Sequence, residues 1–522
     1  MTLFGEGLNG ATELWTSFPA KTVRLPLGKT NDASSEGIAF QISVPKTVPV
    51  GVGAIQLATT NGPSNLHLVM VDDLPRVAES RTNNTIASAQ ELKLPVAVDG
   101  AGEELRLDYY AFGAKKGQRI SIDVVANRLG SLLDPVVRVL DAAGKELVYC
   151  DDDPAVGADA RVRFTAPANG RYVIEVRDIA YQGGPKYRYL LRVGNFPLAS
   201  ALFPPGAQQG AQIKVAVAGR AVDGLHPVSL RVPEHASQVP LNVKFPRGRG
   251  SGFVALATGP LPEVTEVEPN ETAETATKIQ IPSVVNGRFA APKDRDWYEF
   301  SASQGERLIF AGKTRSLGSP CDLFMCLFNA AGKQLAEADI SGANEGTLTN
   351  KFSEAGTYRL LVEELNRGGE PDFVYRIQVE PFRAGFALDV ETNRVEAASG
   401  SSFEIKVTAA RREFDGPITL SVSGLGDDCI LENNVIAEKK NQTALKVKLP
   451  ASLEPGRLLH FAIAGHATVN GADADETAGT MPALRRLWPL LRFPPAALDG
   501  LIGLGIKPPA SKPDEEKSKK TK

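Results

Sequence analysis

Apolar and polar residues alternate in short runs along most of this chain. "RISIDVV" (119–125), "PVVRVLD" (135–141), "RYVIEVR" (171–177) and "YRYLLRV" (187–193) carry β-branched and aromatic residues at a period of two. Turn formers bound them at "KKGQ", "DAAGK" and "ANG". Such runs predict short strands separated by tight turns, the signature of an antiparallel sandwich. "FALDVE", "SFEIKVTA", "PITLSVSG" and "TALKVKLP", between 386 and 450, read the same way. Beyond about 470 the alternation fades. "MPALRRLWPLLRFPPAALDGLIGLGIKPP" is apolar but broken by proline, and "ASKPDEEKSKKTK" reads as a solvated, disordered end.

The strand pattern repeats. Residues 108–145 match 296–333 at a constant offset of 188, identical at 14 of 38 places. "DYYAFGAKKGQRI" faces "DWYEFSASQGERL", and "LDAAGK" faces "FNAAGK". A slip of two residues then brings "NGRYVIEV" onto "AGTYRLLV". Upstream, "DLPRVAESRTNNT" (73–85) meets "PLPEVTEVEPNET" (260–272), and "TLFGEGLNG" meets "AVAGRAVDG" (216–224). The expected order is a short module (1–75), a long one (76–195), a short one (196–262), a long one (263–381), a further β module (382–470) and a proline- and lysine-rich tail (471–522). The fold class is all-β, a string of antiparallel sandwiches.

Composition agrees with this reading. Glycine (49) and proline (36) are plentiful, and 43% of residues are hydrophobic, enough for packed cores. The net charge of −3 offers no broad basic field for nucleic acid, so no nucleic-acid partner is expected. No apolar run reaches the roughly 18 residues of a membrane span. Cys150, Cys321, Cys326 and Cys429 are too few for a disulfide framework, and no zinc-type spacing appears.

Gly5-x-Gly7-x-x-Gly10 has the spacing of a dinucleotide-binding loop, with Asp32 about 20 residues on. Pro19 and Pro26 break the helix such a loop must open, and the repeat replaces Gly7 with Ala221. A β-turn is therefore expected. In the repeat, "ALFPPGAQQGAQIKV" (201–215) precedes the strand that "TLFG" matches, whereas nothing precedes Met1. The expectation is a recorded start inside the first module, downstream of a signal peptide.

"EVEPNET", "DRDWYEF", "LGSPCD", "NAAGK", "AGTYRLLVEE" and "YRIQV" resemble the bacterial pre-peptidase C-terminal domain, and both long modules carry the resemblance. It implies a jelly-roll-like sandwich of the kind appended to exported proteases. The short modules look immunoglobulin-like or similar to transcription-factor-type (IPT/TIG) sandwiches, and "FDGPITLSVSGL" resembles bacterial immunoglobulin-like repeats. The combination is similar to multi-domain exported proteins of planctomycete-like bacteria. The resemblance implies an extracytoplasmic, non-enzymatic array whose partner is an extracellular protein or polysaccharide, acting in adhesion or matrix binding. The alternative is the accessory portion of an exported protease or other hydrolase.

In collagenase-type members of that family a Glu-x-Glu-x-Asn linker and aspartates at the next strand bind calcium. Carried over, Glu266, Glu268, Asn270, Glu271, Asp294 and Asp296 are candidate ligands. The oxygen-only donor set suits Ca²⁺, which takes about six to eight oxygens. In the first copy Arg81 replaces Glu268 and Arg106 replaces Asp294, while Glu79, Asn83 and Asp108 remain. Calcium is therefore expected in the second copy only. "CDDDPAVGAD" (150–159) reads as a solvated turn, Tyr110, Trp297 and Tyr298 as buried core, and "RGRG" (247–250) as an exposed hairpin tip. No nucleophile elbow or HExxH motif marks an enzyme. His460 and His466 share a strand pattern but lack a third ligand.

Overall fold

A computed structural model of the chain describes residues 1–4, 8–25, 37–339 and 345–508. The fold is all-β, a series of two-sheet sandwiches. Gly5, Gly7 and Asp32 lie outside the described residues, as does the end of the tail from 509. Gly10 closes a 3-10 turn, Leu8–Gly10.

Residues 49–52 and 70–382 form one compact unit. Its first long module has two five-stranded sheets. In spatial order one runs Arg161–Thr165, Arg119–Val125, Arg188–Gly194, Val96–Ala101, Arg76–Ala78. The other runs Glu146–Cys150, Pro135–Leu140, Gly170–Asp178, Asp108–Ala114, Gln90–Glu91. The alternating inward residues, among them Val98, Tyr110, Phe112, Ile122, Val137, Ile174 and Leu191, close one core between the sheets.

The second long module has the same strand order. Thr347–Lys351, Arg307–Lys313, Val374–Pro381, Ser283–Arg288 and Glu263–Thr265 form one sheet. Gln334–Asp339, Leu323–Asn329, Gly356–Glu364, Arg295–Ala302 and Thr277–Lys278 form the other. Register repeats too: Asp108 pairs with Val176, and Asp296 with Val362. Between the two lies a smaller sandwich of two three-stranded sheets spanning 198–259, with Leu202, Val215 and Leu256 in its core.

The reading of "CDDDPAVGAD" as a solvated turn is corrected in half. Asp153 and Asp159 are buried. Asp159 accepts from the backbone N–H of Ala126 (2.9 Å) and Asn127 (2.6 Å) and from Arg128 Nε (2.6 Å). Asp153 accepts from Arg161 Nε at 2.7 Å. Arg192, 1% exposed, clamps Asp72 with two bonds (2.8 and 2.9 Å) and donates to Ser251 O at 2.7 Å. Burial alone would raise Asp123, yet the guanidiniums of Arg128, Arg192 and Arg161 hold it below its ordinary value. These buried charges persist because each is paired and hydrogen-bonded.

Residues 1–48 and 53–69 form a second compact unit with the chain from 383 onward. The N-terminal module therefore packs with the C-terminal one, an arrangement that the linear order of modules does not foreshadow. The C-terminal sandwich sets Gly385–Val390, Ser402–Arg412, Gln442–Lys448 and Ile430–Glu432 against a larger sheet. That sheet orders Arg394–Ala398, Ile502–Lys507, Leu458–Val469, Ile418–Ser423 and Val435–Ile436.

The boundary at 470 is thus corrected. Ala472–Thr477 pairs with Leu458–Val469, and Ile502–Lys507 is a central strand whose Ile502, Leu504 and Ile506 are fully buried. His460 sits at the seam with the N-terminal module. Its ring lies 4.2 Å from that of Trp15, and Nε2 is 3.1 Å from Gln56 Oε1.

Candidate metal centre

The entry segment of the second long module, Glu263–Thr265, adds a parallel strand beside Ser283–Arg288, which carries the following chain to the rim of the other sheet. There Asn270 O accepts from Trp297 N–H at 2.9 Å, tying the "EVEPN" segment to the start of Arg295–Ala302. This junction brings Glu266, Glu268 and Asp296 together, with one carboxylate oxygen of each within 4.8 Å of the others. It is the only such group of three among the described residues.

The fourth member is Asn270, fully buried. One terminal atom of its amide lies 2.9 Å from Glu268 Oε2 and 3.0 Å from Asp296 Oδ1. With nitrogen there, the amide donates to both carboxylates; with oxygen there, it adds another donor for a cation. Both Glu266 oxygens accept from Arg288 N–H, at 3.1 and 3.0 Å. Tyr375 Oη donates to Asp296, reaches Glu266 Oε2 at 3.4 Å, and shares a 2.6 Å bond with Tyr298 Oη.

Burial and the neighbouring Asp296 charge push Glu266 up to about 9, and burial with the charges of Asp294 and Glu268 pushes Asp296 up to about 8. Among the described residues no ion pair reaches any of the three carboxylates. The nearby Arg288 guanidinium lies over the Phe203 ring instead, at 4.3 Å. Such a cluster must hold protons or a cation, because like charges at this separation cannot all ionise alone. Hard oxygens from Glu266, Glu268, Asp296 and Asn270 fit Ca²⁺.

Two of the six sequence candidates stand apart. Asp294 spends Oδ2 on Ala290 N–H at 2.8 Å, closing its own turn, and Glu271 is exposed. Sequence reasoning counted Tyr375 as a strand residue and Tyr298 as buried core, neither as part of a site. Their hydroxyls form the floor of the site, and the Tyr375–Asp296 pairing depends on register across two sheets.

The first copy keeps the floor and loses a wall. Tyr189 Oη donates to Asp108 Oδ2 (2.7 Å) and shares a 2.7 Å bond with Tyr110 Oη, while Glu79 accepts from Ala101 N–H at 3.0 Å. Arg81 and Arg106 stand where the second copy has Glu268 and Asp294. Both are exposed, Arg81 with φ +56°, and Arg106 pairs with Glu103. The first copy departs from the second because a carboxylate is missing, with no cation taking its place.

Elsewhere, Ser421 Oγ lies 2.7 Å from His466 Nε2, and His466 Nδ1 bonds Asp475. That is the order of a nucleophile, a base and an orienting acid. The relay lies on an open sheet face, with the His466 and Asp475 side chains 47% and 70% exposed. Ser421 is mid-strand in the ladder, so the backbone there serves the sheet and not a developing oxyanion.

The strand order is that of tandem two-sheet β-sandwiches. Residues 106–178 match the family model of the bacterial pre-peptidase C-terminal domain, so the chain carries such a domain, a non-catalytic accessory fold. A probable subtilase-type serine protease of Deinococcus radiodurans is 35% identical over 108 residues, 20% of this chain and 15% of that protein. The chain thus spans a small part of that relative's length. The solved pre-peptidase C-terminal domain of a collagenase from Bacillus anthracis is 18% identical, covering 20% of this chain and 93% of that one, at a TM-score of 0.17. Among the described residues no helix is long and apolar enough to cross a membrane.

Proposed function

We propose that this chain is a non-catalytic array of β-sandwich binding and spacer modules acting outside the cytoplasm, with one calcium ion bound in the second long module. The observation that carries the calcium reading is the convergence of Glu266, Glu268, Asn270 and Asp296, with Asn270 and Asp296 buried, Glu268 open to solvent, and no ion pair to the three carboxylates among the described residues. Calcium there would fasten the entry segment to the sandwich, stiffening the join with the preceding module. Array architecture and an ion at a module entrance suit a spacer or adhesive role toward an extracellular protein or polysaccharide.

The similarity to a subtilase-type protease supports a second reading, in which the modules are the accessory region of an exported protease. The two readings share the calcium site and differ in what the modules serve.

Thermal unfolding of the full chain, with calcium and then with chelator, tests the site. The expected result is a higher Tm with calcium, following RT ln(1 + [L]/Kd), and no shift in Glu268→Gln. An equal Tm in both conditions for the unmodified chain contradicts it.

A further inference from the structure

Two contiguous cavities, of about 310 and 180 Å³, form an open groove where the first long module meets the small sandwich that follows it. They share Gln118, Arg119, Ile120 and Asn195 as their common wall. Arg163, Asp223 and Phe245 line the larger cavity, and Arg247 and Arg249 line the smaller. The larger lies at the small end of ligand sites, roughly 300–1,000 Å³. Half-buried Phe245 supplies an apolar surface beneath a rim of guanidiniums, while the Ile120 side chain turns into the sandwich core.

Charge along this groove is one-sided. Its four arginines face a single carboxylate, Asp223, which pairs with Arg163 and, at 3.9 Å, with Arg119. Arg247 and Arg249 have no hydrogen-bond or ion-pair partner among the described residues. They ride on the loop joining Gln238–Val243 to Gly252–Gly259, and that loop is pinned at both ends. Lys244 Nζ pairs with Asp73 at 2.7 Å, Ser251 donates to the same Asp73 through N–H (3.0 Å) and Oγ (2.7 Å), and buried Arg192 holds Ser251 O.

Gly250 lets the tip press onto the first module, since a Cβ there would sit 2.6 Å from Leu74 Cδ2. The two arginines are thus held out by a fixed support. In the second long module Arg307 takes the place of Arg119, and its guanidinium lies 3.8 Å over the Phe382 ring.

We propose that this groove binds an acidic polysaccharide through its carboxylates. Planar guanidiniums match planar carboxylates bidentately, and all four cations are arginine. An apolar floor suits the less polar face of a sugar ring, and an open trough of two linked cavities suits a chain. Four cations on a protein of net charge −3 are few for nucleic acid, which presents a charge at every phosphate.

The test is binding of alginate oligomers to the full chain in chelator-containing buffer, beside neutral dextran oligomers and a single-stranded oligodeoxynucleotide. Chelator keeps the outcome independent of the calcium site. Alginate is expected to bind, to weaken as salt rises, and to lose at least tenfold in affinity in Arg247→Ser/Arg249→Ser. Asp223→Asn, which removes the only carboxylate in the groove, is expected to bind alginate more tightly, and it keeps the test decisive should the double variant not fold. Alginate binding no better than dextran, equal affinity in both variants and the unmodified chain, or an oligonucleotide that binds as tightly as alginate would each overturn the proposal.

Discussion

Asp108 and Asp296 hold equivalent places beside a buried pair of tyrosines, and their surroundings decide what each can do. In the first copy, burial and the Glu79 charge push Asp108 up to about 8, although the Tyr189 hydroxyl bond favours its charged form. The folded chain therefore keeps this proton to about pH 8, whereas the unfolded chain releases it near 3.8. The contribution is complete below about pH 4 and is lost as pH rises to about 8. Asp108→Asn should remove this slope, so that the difference in Tm between variant and unmodified chain grows in the variant's favour from pH 5 to pH 8. A constant difference across that range would show Asp108 to be ionised throughout. The pair Glu79 and Asp108 was visible in the sequence through the repeat. The charge state was not, because it depends on burial and on Tyr189, 81 residues away.

At the scale of elements, the strand Ile502–Lys507 is the clearest case of structure the sequence concealed. "IGLGIK" follows a proline-rich stretch, and its glycines weaken any strand reading. The glycines are needed because the N-terminal module crosses directly over this strand. A Cβ at Gly505 would lie 2.5 Å from Pro63 Cδ and 2.8 Å from Pro63 N. Gly505→Ala should cost about 1–3 kcal/mol, by analogy with overpacked cores, read as a lower midpoint in urea. His460 lies at the same seam, and burial lowers it to about 4 from 6.5. Its contribution is present above about pH 6.5 and is lost as pH falls toward 4, since only the unfolded chain protonates in that window. His460→Gln should therefore be less acid-sensitive than the unmodified chain between pH 6.5 and 4, checked by unfolding at both ends of that range. By contrast, the strands of the long modules were legible throughout, because each alternates on a half-buried sheet and recurs at a nearly constant offset. Asp153 and Asp159 misled for the opposite reason. An acid-rich loop looks solvated until Arg128, from the 3-10 turn Asn127–Leu129, and Arg161, from the strand Arg161–Thr165, pair with its buried aspartates.

Across the whole molecule, one fold used twice carries two different sites. The second copy gathers Glu266, Glu268, Asn270 and Asp296 into an oxygen cage, and the first lacks the carboxylate at Arg81. The spacing of "EVEPN" and "DRDW" was legible as a donor set. Which of its six residues converge was not, because convergence depends on the fold: Asp294 Oδ2 is taken by the Ala290 N–H of its own turn, and Glu271 lies outside the group. The most direct test is a calorimetric calcium titration of the full chain, with bound metal counted after dialysis. The account predicts one calcium per chain, and none in Glu268→Gln/Asp296→Asn with the fold intact by circular dichroism. Two equivalent ions, none, or one that survives the double substitution would contradict it.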